Sequence, residues 1–231
     1  MKEKSIVIAY SRKEYKYEAN RFISKNKQYC IKIITKKEDL NLNKIKQINP
    51  KYIFFPHWSW KIPKEIYEKY NCIVFHMTDL PYGRGGSPLQ NLIERGHKAT
   101  KISAIKVEEG IDTGDIYLKE PLTLDGTAEE IFKRASEKIF NKMIPEILEK
   151  NLTPYPQKGE LVEFKRRKPS QSDISKLNSI EKIYDYIRML DAKGYPKAFI
   201  KLNEIKYEFY DAKLEGNQLQ AKVKITKDDE K

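Results

Sequence analysis

Histidine, cysteine and tryptophan are scarce in this chain of 231 residues, which holds three, two and two of them. Cys30 and Cys72 stand apart, without metal-ligand spacing around them, and are too few for a disulfide framework. Both read as buried small hydrophobes, and no metal is expected at a site. No apolar run approaches the ~20 residues of a membrane span. The opening stretch Ile6-Val7-Ile8-Ala9 is too short for a signal peptide, so the expected location is cytoplasmic, with no membrane partner. Arginine is scarce as well: 37 of the 45 basic residues are lysine, within a formal charge of +12. Bidentate reading of phosphate or guanine favours arginine, so the lysine excess reads as solvated surface and no nucleic-acid partner is expected.

What is present suffices for one substantial core, or a core and a small appendage, with 39% hydrophobic and 34% charged residues. The charge is uneven. Residues 1–69 hold 17 basic against 7 acidic side chains, and the remainder is nearly balanced. That asymmetry suits an anionic small ligand on the first third.

Apolar runs alternate with helical spacing along that first part. Strands are expected at Lys4 to Tyr10, Cys30 to Ile34, Tyr52 to Phe55 and Cys72 to His76. Helices are expected around Tyr15 to Ile23, over Leu40 to Ile48 and after Pro63. This order implies a Rossmann-like, doubly wound, mostly parallel α/β sheet covered on both faces. Ligands in such sheets bind beyond the strands' carboxyl ends, here Tyr10-Ser11, Pro56-His57-Trp58 and His76-Met77-Thr78. Further on, Ser87 reads as a helix N-cap before Pro88. Two strands, Ile102 to Val107 and Asp115 to Lys119, flank a turn, and a long helix starts at Thr127 with Glu130 in a capping box. Pro145 is expected to bend that helix or mark a break in it. Residues 1–150 form the expected catalytic domain. Residues 151–175, with Pro154, Pro156, Gly159 and the exposed run Lys165-Arg166-Arg167-Lys168, read as a linker. Residues 176–231 read as a helix, an apolar strand after Pro196 and a β-hairpin turning at Gly216-Asn217.

His76 ends an apolar strand and precedes a loop, a position for a working side chain as well as for a structural histidine. Asp112, between two strands, serves a turn or a site. His57 ends another strand, and Trp58 and Trp60 beside it form either a hydrophobic plug or a stacking surface.

The stretch His76-Met77-Thr78-Asp79-Leu80-Pro81-Tyr82-Gly83-Arg84-Gly85-Gly86-Ser87-Pro88, followed by Glu109-Gly110-Ile111-Asp112-Thr113-Gly114-Asp115-Ile116, resembles the formyltransferase family. That family includes methionyl-tRNA formyltransferase, glycinamide ribonucleotide transformylase and the sugar N-formyltransferases. The resemblance implies transfer of a formyl group from 10-formyltetrahydrofolate to a primary amine. It carries the family's catalytic histidine and aspartate onto His76 and Asp112, where the site must hold a developing oxyanion and take up the amine proton. Trp58, Ser59, Trp60 and Ile62 match the segment whose backbone holds the pterin, with Asp112 also at the donor. Arg84, Gly85 and Gly86 match the loop lining the cleft. The family's asparagine two residues before the histidine is here Val74, which donates no hydrogen bond. Either His57 or Thr78 supplies the missing donor, with His57 favoured because it can carry charge, or the enzyme is compromised.

The chain after Lys168 reads as too short for the tRNA-binding barrel of a methionyl-tRNA formyltransferase. The terminal hairpin instead resembles the appendage of a sugar N-formyltransferase. The expected acceptor is therefore a nucleotide-linked amino sugar, a UDP-4-amino-4,6-dideoxy-N-acetyl hexose of the pseudaminic acid type, with Tyr10, Ser11, Arg12 and Thr78 at the substrate. The partner expectations are that nucleotide sugar and, at most, a second copy of the chain. Two rivals remain: a tRNA-directed relative acting on another amine, and a non-catalytic sensor of folate or sugar nucleotide, for which Val74 is no obstacle.

Overall fold

The apolar runs do form strands and the amphipathic runs helices in a computed structural model of the chain, which describes residues 4–227. In chain order the elements are β1 (Lys4–Tyr10), α1 (Lys16–Lys25), β2 (Tyr29–Ile34), α2 (Leu42–Ile48), β3 (Tyr52–His57), α3 (Lys64–Tyr67) and β4 (Asn71–His76). They continue with β5 (Tyr82–Gly85), α4 (Pro88–Glu94), β6 (Ala99–Lys106), β7 (Ile116–Thr123), α5 (Ala128–Lys138), α6 (Ile144–Lys150) and β8 (Val162–Phe164). The last are α7 (Ile180–Leu190), β9 (Ala198–Leu202), β10 (Ile205–Glu215) and β11 (Gln218–Lys227).

One six-stranded sheet runs β2-β1-β3-β4-β6-β7. Its first four strands pair in parallel, and β6 joins β4 antiparallel. This is the expected α/β class with a mostly parallel sheet. Side chains alternate across it: Val7, Ala9, Ile53, Phe55 and Cys72 join Leu40, Ile45 and Ile66 in one core cluster, while Ile6, Ile8, Phe54 and Ile73 are also fully buried. Burial on both faces leaves the strand ends as the place where polar groups meet solvent. The carboxyl ends of β1, β3 and β4 are Tyr10, His57 and His76.

The chain divides into two compact units that differ from the expected domains. The first takes the chain up to Arg84, Lys101–Leu122 and Arg134–Glu163, and holds the sheet. The second takes Gly85–Thr100, Thr123–Lys133 and everything from Phe164 on. In the second, β9, β10 and β11 form a three-stranded antiparallel sheet, the expected hairpin together with the apolar strand expected after Pro196. Arg188 on α7 is buried there, its guanidinium donating to the Leu124 and Gly126 carbonyls and to Asp185.

Two local expectations need correction. The run from Lys165 to Lys168 is not uniformly exposed: the Arg167 side chain is only 7% exposed, ion-paired to Glu94 at 2.5 Å and donating to the Gln171 carbonyl. A guanidinium fork met by a carboxylate, a carbonyl and the Tyr186 ring can be buried where a lone lysine cannot. Ser87 does not cap α4; it adopts φ 51°, and its hydroxyl accepts from the Arg167 N–H at 3.1 Å. The helix from Thr127 keeps its capping box, with Glu130 N–H donating to Thr127 Oγ1 and Thr127 N–H to Glu130. Ahead of Pro145 it passes through a π segment, Ile139–Met143, before α6 resumes. Proline lacks the N–H that would close a normal turn, and the wider π ring accommodates that loss.

Candidate active site

β4 delivers His76 to the end of the sheet because its apolar residues commit the strand up to that point and the chain then turns. His76 is 8% exposed. Its Nε2–H donates to the Gly83 carbonyl at 2.8 Å, and its Nδ1 lies 3.4 Å from Asp112 Oδ2. Both ring nitrogens thus face oxygen acceptors. A histidine held on both sides in this way keeps one orientation, with a carboxylate beside it to offset positive charge.

The loop after His76 is fixed from beneath. Ser103 on β6, paired across from His76, donates through Oγ to the Thr78 carbonyl at 2.7 Å and accepts from Leu80 N–H at 3.3 Å. Thr78 is fully buried, and its hydroxyl donates to the same Gly83 carbonyl at 3.3 Å. Thr78 therefore supports the loop from inside, which differs from its expected place at the substrate.

Asp112 sits in a tightly built turn. Gly114 lets the chain pass against β6: a Cβ there would lie 1.8 Å from the Lys106 carbonyl oxygen. Thr113 Oγ1 donates to the Glu109 carbonyl at 2.9 Å. Asp112 itself has φ 55°, the left-handed region that Asp tolerates better than most residues. Arg84 does not stand free in a cleft. Its Nε and Nη2 donate to Gln157 Oε1 at 3.1 and 2.8 Å, and Gln157 donates in turn to the Asp112 turn. Gly85 and Gly86 lie in the second unit against residues 164–166, where a Cβ on Gly85 would fall 2.4 Å from the Phe164 carbonyl oxygen.

The ends of β1 and β3 are tied together by side chains. Ser11 Oγ bonds His57 Nδ1 at 3.1 Å and Ser59 Oγ at 2.9 Å, and Ser11 N–H donates to the His57 carbonyl at 2.9 Å. Tyr10 is buried within the sheet, and Arg12 pairs with Glu14 at 3.6 Å. Burial pushes His57 down to about 4, assisted by the Arg12 charge. At neutral pH His57 is uncharged, so the charge that favoured it over Thr78 is absent. Because its folded pKa lies below the ordinary 6.5, the unfolded chain binds more protons between those values, and stability falls as pH drops from about 6.5 to about 4. The shift is worth up to about 3 kcal/mol. Urea denaturation across that range should show His57→Gln losing stability less steeply than the parent protein; equal slopes would refute the assignment.

Val74 stands two residues before His76 on β4, aligned with Phe55 on β3 and Ile105 on β6. It packs against the main core cluster and against Leu80, Ile105 and Ile116. This position is apolar packing and supplies no donor.

Residues 58–62 lie outside any helix or strand, so their backbone groups are not committed to a ladder. Trp58 packs edge-on against Phe55 and Trp60, and its buried indole N–H has no hydrogen-bond partner among the described residues. Unspent backbone polar groups, an unpaired indole donor and the half-exposed Trp60 ring fit a flat heterocycle with hydrogen-bonding edges, such as a pterin. Ile62 is buried in the core beneath the segment.

A family model described as formyl transferase matches residues 3–148. The chain belongs to the formyl transferase family. The donor expected from the sequence, 10-formyltetrahydrofolate, follows with membership of that family. A second model, described as the methionyl-tRNA formyltransferase C-terminal domain, matches residues 169–226. A solved structure titled methionyl-tRNA formyltransferase, from Clostridium thermocellum, is 57% identical with a TM-score of 0.94, covering 96% of this chain and 99% of that one. The methionyl-tRNA formyltransferase of Thermodesulfovibrio yellowstonii is 30% identical over 78% of this chain, which spans 61% of that relative's length. A sugar N-formyltransferase from a Shewanella species is 13% identical with a TM-score of 0.68, covering 86% of this chain and 93% of that one, a likeness of fold alone.

These findings correct two expectations. The nucleotide-sugar acceptor, with its UDP and pseudaminic acid assignment, rested on the length after Lys168 and on the terminal hairpin, yet that same region matches the methionyl-tRNA formyltransferase C-terminal model and a solved methionyl-tRNA formyltransferase is matched over 99% of its chain. The exclusion of a nucleic-acid partner falls with it, because scarcity of arginine limits base reading more than contact with phosphates, which lysine also makes. Sequence reasoning also missed Gln157, Ser103 and the Gly83 carbonyl, which hold the site's two side chains and their loops. Among the described residues no helix is long and apolar enough to cross a membrane.

Proposed function

We propose that this protein transfers a formyl group to the amino group of methionyl-tRNA. The observation that carries the reading is the 57% identity with the Clostridium thermocellum methionyl-tRNA formyltransferase over nearly the whole of both chains. The facing of His76 and Asp112 supports it. In the reaction a bond forms between the amine nitrogen and the formyl carbon, the bond from that carbon to the donor nitrogen breaks, and one proton leaves the amine while one reaches the departing nitrogen. When bound, 10-formyltetrahydrofolate supplies the activated one-carbon unit. His76 is the group placed to hold and move a proton there, and Asp112 orients its ring. Residues 58–62 would hold the pterin. The 17 basic against 7 acidic residues of 1–69 suit the phosphates of a tRNA.

The reading is tested in a bacterium depleted of its own methionyl-tRNA formyltransferase, with deformylation inhibited. Expression of this chain should restore formyl groups on the N-termini of nascent proteins, measured by mass spectrometry, and His76→Ala should not. Soluble, folded protein that leaves those N-termini unformylated would overturn the reading.

A further inference from the structure

The aspartate of the pair is held through its backbone by a residue from a distant part of the chain. Gln157 Nε2 donates one hydrogen to the Asp112 carbonyl at 2.9 Å and the other to the Gly114 carbonyl at 2.8 Å, clamping both ends of the turn. Its Oε1 takes two hydrogens from Arg84, at 3.1 and 2.8 Å. The guanidinium has no acceptor to offer and the two carbonyls have no donor, so the amide has a single orientation that satisfies all four bonds. The register that brings it there is a β-bridge. Tyr155 and Ile116 exchange both backbone hydrogen bonds, at 2.8 and 3.0 Å, and the antiparallel step of two residues sets Gln157 opposite Gly114. Asp112 meanwhile holds φ 55°, in the left-handed region, and the clamp fixes the turn in that conformation.

We propose that Gln157, oriented by Arg84, is a positioning residue that sets the Asp112 carboxylate against His76. Gln157 touches neither the histidine nor any reacting atom; it acts through the turn. The inference rests on the reading of His76 and Asp112 as the formyl-transfer pair.

The test uses the ligand-free full chain and a double-mutant cycle. Gln157→Met keeps the side chain's length and removes every hydrogen bond. The pH titration of the His76 ring, followed by NMR and assigned with His57→Gln and His97→Gln, should move in Gln157→Met in the direction that Asp112→Asn moves it. The double variant should titrate like Asp112→Asn alone, because the clamp has nothing left to position. In transfer assays Gln157→Met should lower kcat about tenfold with the donor KM unchanged. A His76 titration unchanged in Gln157→Met, or two effects that simply add, would overturn the proposal. Should Gln157→Met not fold, Arg84→Met frees the amide to rotate while leaving its donors; a smaller shift in the same direction supports the clamp, and none overturns it. The titration needs no turnover, so a failure of the formyl-transfer reading shows separately, as absent transfer by the parent protein.

Discussion

Replacement of His76 by alanine is expected to lower formyl transfer about 100- to 10,000-fold, the usual worth of a positioned acid or base, while leaving the protein folded. The ring contributes two things at once: Nε2–H to the Gly83 carbonyl, and Nδ1 facing Asp112. The first is partly replaceable, because Thr78 Oγ1 also donates to that carbonyl. The second is not, since it is the His76 Nδ1 that lies 3.4 Å from the Asp112 carboxylate. Single-turnover measurements at saturating donor, with urea denaturation as the control for folding, read the two effects apart. A variant that keeps the parent rate would remove His76 from the chemistry.

Gly114→Ala should act on stability and activity together. The new Cβ would lie 1.8 Å from the Lys106 carbonyl oxygen and 2.9 Å from its carbon, closer than any relaxation of one side chain can relieve, because both atoms are backbone. Either the turn lifts from β6 or the strand end shifts. A cost of about 2–4 kcal/mol is expected. The rate should fall as well, since the displaced turn carries Asp112 and one of the two carbonyls that Gln157 holds. The denaturation midpoint and the single-turnover rate check both parts; an unchanged midpoint would mean the turn is not packed as described.

Much of the parallel part of the sheet is legible in local sequence because strands such as β1 and β4 carry apolar runs that stop at the strand end, whereas β6 starts earlier and β7 runs further than their apolar runs indicate. Ile6 to Tyr10 and Cys72 to His76 are examples, and the strand-end rule then locates His57 and His76 correctly at one edge of the sheet. What escaped was set by distant partners. Pro154 and Pro156, which donate no backbone N–H, make residues 151–175 look like a linker. Yet Tyr155 between them bridges to Ile116 and brings Gln157 to the site. Arg167 belongs to a basic run that looks exposed, and only the fold places Glu94 and the Tyr186 ring around it. Val74 departs from the family motif, and only the fold places it as packing between two clusters. The acceptor does not follow from the length after Lys168 or from a terminal hairpin, because neither contains the chemistry of recognition.

The central claim is most directly tested by incubating the purified protein with 10-formyltetrahydrofolate and methionyl-tRNA, hydrolysing the ester, and measuring N-formylmethionine by mass spectrometry. The expected result is N-formylmethionine that accumulates in proportion to enzyme and is lost in His76→Ala and Asp112→Asn. Unmodified methionine throughout, from protein that still binds the folate, would contradict it.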